Sequence, residues 1–270
     1  MTVIVTEPLQ DLQSTPDTRS IAIDKVGIRN LEMPIRVQDQ NQIIRETVGT
    51  FDAYVNLRQE VKGTHMSRFV EVLHRHSTPY SVETLRDILE RMKERLESDA
   101  AFLDIRFPYF VEKSAPISGQ PSYMNYQVKL SARLEADQFS LKTQLEVPVK
   151  TLCPCSKTIS KYGAHNQRGM VTVQIETQKT VWLEEIIATV ENSASSQLYA
   201  LLKRPDEKHV TERAYENPVF VEDLVRNIVS HLREDSRIVC YQVEAENHES
   251  IHNHNAYALV RHQANSESRQ

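Results

Sequence analysis

A two-residue alternation of apolar and polar side chains constrains the fold of this chain more than any other feature of its sequence. The alternation is clearest in residues 43–60 and 169–177. Because successive side chains of a strand point to opposite faces, this period predicts strands that bury one face. Further strands are predicted over residues 21–37, with an interruption at Pro34, and over 101–113, 122–135, 139–150, 237–246 and 255–262.

A pair of helices is predicted between the strands of each half. In the first half, one helix is predicted from Thr64, a suitable N-cap, to residue 76, and another from Ser81 to residue 98. In the second half, helices are predicted over residues 182–202 and from Asn217 to residue 234, since a cap followed by a proline is typical of a helix start. Residues 203–223 form a long, charged connection between these two helices.

Each half therefore has the order strand, strand, helix, helix, strand, strand. The predicted fold class is α+β, with two tandem modules, each an antiparallel four-stranded sheet with a helix pair on one face. The predicted domains are a flexible arm at 1–20, a first module at 21–136, a second module at 137–262 and a tail at 263–270. Open sheets leave edges that must be covered or paired, so we expect a homo-oligomer in which sheets pair side by side.

The composition argues against several classes of protein. No apolar run approaches the roughly 20 residues of a membrane helix, and the first residues lack the basic and apolar segments of a secretory signal. A net charge of −5 argues against a dedicated nucleic-acid binder, which presents a basic face. Only three cysteines are present, and Cys153 and Cys155 are too close in sequence for an unstrained disulfide, so we expect a cytoplasmic protein.

The densest cluster of reactive side chains lies in residues 148–169. Cys153 and Cys155 are two positions apart, so in extended backbone both sulfurs face one side, and His165 follows nearby. Thiolate and imidazole are good ligands for Zn²⁺ or another borderline metal, and a set of few protein ligands leaves a position for water. The alternative is that the cysteines are small buried residues and that His165 caps a turn; the polar neighbours favour the functional interpretation.

Three further segments hold candidate residues, and each has an ordinary structural alternative. Glu222 could accept hydrogen bonds from the N1–H and 2-amino groups of guanine, or simply interact with a helix dipole. The turn 246–256 contains Glu249, His252 and His254, which suit proton transfer, or it is a solvated hairpin turn. Residues 62–69 begin a helix whose free N–H groups suit an anion, or they form an ordinary capped helix.

Together these segments resemble the type IB GTP cyclohydrolases. The matching motifs are KGTHMSRF at 62–69, PCSK and GAHNQRG within 154–169, DEK, VTE, AY, NP and FVED within 206–223, and ENHESIHNHNA at 246–256. The pattern CPCSK.IS..GAHNQR is specific to that family, and the resemblance runs from about residue 20 to 262. It implies the tunnelling fold with two modules per chain, homotetramers, and active sites at subunit interfaces.

The resemblance also implies a role for each matching residue. Cys153, His165 and Glu207 resemble the ligands of one divalent metal ion per active site, which would be Zn, Mn or Fe. Cys155 resembles the second active-site thiol, and Glu222 resembles the anchor for the guanine edge. Candidates for proton transfer and water positioning are Glu249, His252 and His254, and candidates for the triphosphate are His65, Arg68, Lys157, Lys161 and Arg168.

The implied reaction is hydrolytic opening of the imidazole ring of GTP, with release of formate and formation of 7,8-dihydroneopterin triphosphate. This is the first step of tetrahydrofolate-type pterin synthesis. Water must add to C8 of the purine; a metal lowers the pKa of bound water, and a histidine can protonate N7. Two alternatives stay open: a tunnelling-fold nitrile reductase acting on a deazaguanine, and a non-catalytic metal-binding module.

Overall fold

The computed structural model of the chain describes residues 11–13, 15–76 and 78–263. Within these residues it contains eight strands and six helices. The strands are β1 (Ile23–Gln38), β2 (Ile44–Leu57), β3 (Ala100–Ser114), β4 (Pro121–Glu135), β5 (Gln138–Leu152), β6 (Asn166–Thr177), β7 (Ile238–Asn247) and β8 (Ala256–His262). The helices are α1 (Met66–His74), α2 (Val82–Leu96), α3 (Pro154–Ile159), α4 (Leu183–Ser193), α5 (Arg204–Glu216) and α6 (Val221–Glu234).

The strands are hydrogen-bonded in chain order in one sheet, from β1 to β8. The pairs β5–β6, β6–β7 and β7–β8 are antiparallel, and the sheet with its helices confirms the predicted α+β class. The prediction of two four-stranded sheets needs one correction, because β4 pairs with β5 through a tight turn at Ala136 and Asp137, both with positive φ. The module boundary predicted at 136/137 falls at this turn and stays a prediction.

Proline does not interrupt the first strand, contrary to the sequence-based expectation. Strand β1 continues through Pro34. It lies at the edge of the sheet, where a residue without a backbone N–H can be accommodated on the unpaired side.

Contacts divide the chain into two compact units. The first comprises the residues up to Met33, Thr50–Ile105 and Ser131–Ser140. Helix α2 begins as predicted, because the Ser81 hydroxyl accepts the Thr84 backbone N–H and the Thr84 hydroxyl accepts that of Ser81. The alternation predicted in β2 and the apolar stripe predicted in α2 are confirmed by the buried residues Phe51, Ala53, Val55, Leu85, Ile88, Leu89 and Met92. Helix α1 buries Phe69 and Leu73.

Two details of the first unit differ from expectation or lie beyond it. Helix α1 begins after His65 rather than at Thr64, and no side chain caps it. Part of the predicted arm is bonded to the rest of the unit: Asp17 donates its N–H to the Glu60 carbonyl, and Gly63 donates to that of Gln13. The remainder of the arm, residues 1–10 and 14, and the tail beyond residue 263 lie outside the described residues.

The second unit comprises Pro34–Gly49, Arg106–Leu130 and the chain from Leu141 onward. Helix α6 packs against β7, β8 and α4. One face of β5, β6 and β7 supplies the apolar layer, as their alternation predicted. The layer consists of Leu145, Val147, Val149, Val171, Val173, Ile175, Val243 and Ala245 from the strands and of Leu224, Val225, Ile228 and Leu232 from α6.

The connection predicted at 203–223 is wrong, because most of it is helix α5. Asp206 in its first turn is fully buried and accepts four hydrogen bonds, two of them from the backbone N–H groups of Ile117 and Ser118. The others come from the Ser118 hydroxyl and from the Lys203 N–H. Burial by itself raises the pKa of Asp206, but these hydrogen bonds stabilise the carboxylate and bring its pKa below the usual value.

The neighbouring helix ends also differ from the prediction. Asn217 ends α5 instead of capping α6, which begins at Val221, and α4 ends at Ser193 rather than near residue 202. Among the described residues, no helix combines the length and apolar character needed to cross a membrane.

Candidate active site

Cys153 and His165 meet at the end of the β5–β6 ladder. The last paired residues are Leu152 and Asn166, and one step further the Cys153 N–H donates to the His165 carbonyl at 3.1 Å. Residues opposite each other in an antiparallel pair point to the same face, as do residues two apart in one strand. The side chains of Cys153 and His165 therefore leave the sheet on the face that also carries Thr151 and Gln167.

A short helix, α3, turns the chain between these two residues. Cys153 is its N-cap, and its Sγ accepts the Ser156 backbone N–H at 3.4 Å. The Ser156 hydroxyl donates to the Cys153 carbonyl and accepts the His165 N–H, both at 3.2 Å. The expected extended backbone for both cysteines is wrong, because Cys155 is exposed on α3, so strand alternation does not place the two sulfurs together. The division of roles between Cys153 and Cys155 stays a prediction.

A hydrogen-bonded network surrounds the imidazole of His165. Its Nδ1 lies 3.1 Å from Oε1 of Gln167 and 3.7 Å from Oε2 of Glu249. Gln167 is 8% exposed, and its Nε2 donates to Thr151 Oγ1 at 3.0 Å and to Glu249 Oε1 at 3.4 Å. The sequence-based prediction named His165 and Glu249 separately; the fold brings them together through Gln167.

The chemistry of these donors fits a divalent metal ion in part. Cys153 is a half-buried thiol, and His165 uses one ring nitrogen toward an amide oxygen and a carboxylate, as metal-binding histidines do. Glu207 is exposed in the first turn of α5. Over residues 11–13, 15–76 and 78–263, no three His, Cys, Asp or Glu side chains are grouped closely enough to hold an ion. The set Cys153, His165 and Glu207 therefore stays a prediction.

The other predicted catalytic and guanine-binding residues are exposed. Glu222 lies in the first turn of α6, where the helix dipole also favours a carboxylate. His252 and His254 lie in the turn between β7 and β8, with stacked rings whose centroids are 5.0 Å apart. They are thus paired with each other, and both rings are accessible.

The predicted triphosphate residues occupy different surroundings. Lys157 donates to the Tyr215 carbonyl and lies over the Tyr215 ring, 4.5 Å from its centroid. Arg168 points to the sheet face opposite Gln167 and is aligned with Lys150 of β5, while Lys161 is exposed in the loop after α3. Two further candidates belong to the first unit.

In that first unit, both candidates have partners of their own. His65 Nε2 lies 3.2 Å from Asp11 Oδ2. Arg68 donates to the Arg95 carbonyl at 3.2 Å and lies 3.8 Å from the Glu97 carboxylate.

The sequence-based reasoning gave no role to Thr151, Ser156 or Gln167. A signal for two of them was present, since Thr151 precedes Cys153 by two positions and Gln167 follows His165 by two. In strands, that spacing places side chains on one face. Ser156 had no comparable signal, because its role depends on the unpredicted helix α3.

Comparison with known proteins identifies the family. A family model described as "Type I GTP cyclohydrolase folE2" matches residues 9–258. GTP cyclohydrolase FolE2 of Methylobacillus flagellatus is 51% identical over 94% of this chain and 95% of its own, and that of Nitrosomonas eutropha is 52% identical over 94% and 96%.

Solved structures bear on the fold. The crystal structure of a highly active BTUO mutant matches with a TM-score of 0.52 at 8% identity, over 88% of this chain and 99% of the other. At that identity the likeness concerns the fold alone, and it agrees with the predicted tunnelling fold. From the matched family model, the two half-identical relatives and the Cys153–His165 site, we conclude that this chain belongs to the type I GTP cyclohydrolase family of the folE2 kind.

Proposed function

We propose that this chain opens the imidazole ring of GTP by hydrolysis, releasing formate and forming 7,8-dihydroneopterin triphosphate for folate-type pterin synthesis. The observation that carries the proposal is the grouping of His165, Gln167 and Glu249 beside Cys153 in a chain half-identical to proteins named GTP cyclohydrolase FolE2. Hydrolysis needs a held water, a proton carrier and a way to recognise guanine, and the chain has residues for each.

Cys153 and His165, completed by Glu207, would hold one divalent ion of Zn, Mn or Fe. The ion would supply a Lewis acid that lowers the pKa of water. Thiolate, imidazole and carboxylate together do not select sharply among these metals.

Proton transfer is assigned to the carboxylate and the two histidines of the β7–β8 turn. Glu249 lies 3.7 Å from the ring of His165, which suits it to orient a water molecule at the same place. His252 and His254 are accessible and suit protonation of purine N7, since imidazole exchanges protons near neutral pH.

Substrate recognition is assigned to Glu222 and to basic side chains. A carboxylate accepts two hydrogen bonds and donates none, which matches the N1–H and 2-amino donors of guanine. Arg168 supports a role in triphosphate binding, because it lies directly across from Lys150 in the β5–β6 register. Like charges directly opposite each other are unfavourable unless an anion lies between them.

The direct test is turnover of GTP with Mn²⁺ or Zn²⁺ and without NADPH, followed as formate release and as pterin fluorescence after oxidation. We expect both products. Absence of product from GTP, together with NADPH oxidation by a deazaguanine nitrile, would instead identify the reductase. Metal binding without either reaction would identify a non-catalytic module.

Matched variants locate the site. Cys153→Ala should abolish turnover and weaken metal binding, whereas Cys240→Ala on β7 should leave both unchanged. Glu222→Gln should lower kcat/KM for GTP by about 10- to 100-fold, the usual effect of removing a charged hydrogen-bond partner, with unchanged metal content. Glu83→Gln, at the equivalent position of α2, controls for the helix-dipole contribution. Full activity of Cys153→Ala or Glu222→Gln would show that the role is misplaced.

We also propose a homotetramer and a cytoplasmic location. Strands β1 and β8 are the two edges of the sheet, and pairing of such edges between copies would satisfy their free backbone groups. Within the described residues, Cys153, Cys155 and Cys240 form no disulfide, which supports a reducing compartment. Sedimentation of the purified protein tests the assembly, and a monomer would refute it.

A further inference from the structure

Gln167 lies at the centre of the network around His165. Its side chain is buried, and its two terminal atoms have three partners within hydrogen-bond distance: His165 Nδ1 at 3.1 Å, Thr151 Oγ1 at 3.0 Å and Glu249 Oε1 at 3.4 Å. A glutamine amide has one accepting end and one donating end, so its orientation determines which partner donates.

Glu249 determines that orientation. A carboxylate only accepts hydrogen bonds, so the atom of Gln167 that faces it must be the amide nitrogen. The same nitrogen reaches the Thr151 hydroxyl, which is fully buried on β5 and holds it in place. The amide oxygen is therefore left facing His165.

The oxygen of Gln167 in turn determines the tautomer of His165. An acceptor 3.1 Å from Nδ1 requires that Nδ1 carry the proton, because a bare nitrogen and an oxygen would repel each other. The Glu249 carboxylate, 3.7 Å from Nδ1, adds an attraction of the same sign but is too distant for a hydrogen bond. In the neutral ring the lone pair then lies on Nε2.

We infer that Gln167 is a positioning residue that holds His165 in the Nδ1–H tautomer and so presents Nε2 to a divalent cation, with Thr151 and Glu249 orienting the amide. The inference rests on the proposed metal site but not on the reaction of GTP. A tautomer fixed in advance strengthens metal binding, and loss of such a supporting partner typically weakens it by about 10- to 100-fold.

Two substitutions of Gln167 separate this role from packing. Gln167→Met fills a similar volume without an acceptor, whereas Gln167→Glu keeps an oxygen for the Nδ1 proton but loses the amide nitrogen that faces Glu249. Gln174→Met, on the same strand, is the matched control for loss of a glutamine side chain. Thr151→Val leaves Gln167 in place but removes the group that holds its nitrogen.

The first measurement is the solid-state ¹⁵N spectrum of histidine-labelled, metal-free protein. The sample is prepared at a pH of about 8.5, where unperturbed imidazole is neutral. The His165 signals are assigned by their loss in His165→Gln. We expect the Nδ1–H tautomer in the wild type, Gln167→Glu and Gln174→Met, and a mixture of tautomers in Gln167→Met. Thr151→Val should give a smaller fraction of the second tautomer and keeps the test decisive if Gln167→Met does not fold.

The second measurement is Zn²⁺ and Mn²⁺ affinity, by competition with a chromophoric chelator. Gln167→Met should bind about 10- to 100-fold more weakly, whereas Gln174→Met should stay close to the wild type. A pure Nδ1–H signal with wild-type affinity in Gln167→Met would overturn the inference. Because neither measurement uses GTP, inactive protein with the expected tautomers would refute the proposed function alone.

Discussion

Gly169, on strand β6 between β5 and β7, gives the sharpest test of the packing. It lies opposite Asn247 in the β6–β7 register. A Cβ placed on it would be 2.5 Å from Asn247 Oδ1, 3.3 Å from the Glu246 carbonyl oxygen and 3.4 Å from Val149 Cγ2. The first distance is about 1 Å shorter than an ordinary contact between heavy atoms. Gly169→Ala therefore requires the Asn247 side chain, or the strand itself, to move.

The loss of unfolding free energy depends on how far the Asn247 side chain can move. Asn247 is 2% exposed, so its side chain has little space into which to turn, and the substitution should cost about 1–3 kcal/mol of unfolding free energy, as overpacking does. Asn247→Ala removes the 2.5 Å contact. Because Oδ1 of Asn247 is buried without a hydrogen-bond partner, its removal should change stability by less than about 1 kcal/mol. In that background Gly169→Ala should be nearly neutral, which leaves a coupling of about 1–3 kcal/mol.

The assay is denaturant unfolding of the four proteins of this double-mutant cycle, followed by circular dichroism at one protein concentration and without metal, because bound ligands and assembly change the midpoint. Gly63→Ala is the control, since the nearest atom to its Cβ would be Gln13 Cγ at 3.5 Å. A Gly169→Ala protein with the wild-type midpoint would refute this reasoning, as would a double variant no more stable than Gly169→Ala.

Three further predictions concern two buried carboxylates of the second unit and the removal of metal. Lys113→Met should destabilise the protein by about 3–5 kcal/mol in the same unfolding assay, because it leaves the buried Glu191 carboxylate without the ammonium 2.7 Å away. Lys113→Met with Glu191→Gln, which keeps an acceptor for the Tyr126 hydroxyl, should recover most of this loss, and an equal loss in the double variant would contradict the explanation. Asp206→Asn should flatten the acid limb of stability against pH: the folded pKa of Asp206 is lowered, so its contribution is complete above the unfolded pKa of about 3.9 and is lost as pH falls toward the folded pKa. Unfolding midpoints between pH 3 and 6 check this, and parallel curves for the two proteins would refute it. Removal of metal with EDTA should abolish GTP hydrolysis while the circular dichroism spectrum persists, because buried apolar side chains form the core; unfolding on chelation would favour a structural metal.

Local periodicity was sufficient for most strands and for α2. The alternation through Val171, Val173 and Ile175 correctly predicted a strand with one buried face, and Ser81 correctly marked the start of α2. Helix α5 was missed because its pattern is mostly charged, and its start depends on Asp206 accepting hydrogen bonds from residues about ninety positions earlier in the chain. Such a long-range partner leaves no local signal.

The candidate site divides in the same way. The types and spacing of Cys153, His165 and Glu249 are properties of the sequence, and the family motif follows from them. Only the tertiary structure brought Glu249 close to His165, with the amide of Gln167 between them. It also placed Cys155 on helix α3, where the two-residue period of a strand does not apply. The physical reason is that periodicity reports which face a side chain takes, whereas strand register and helix ends, set by contacts between distant residues, decide which side chains meet.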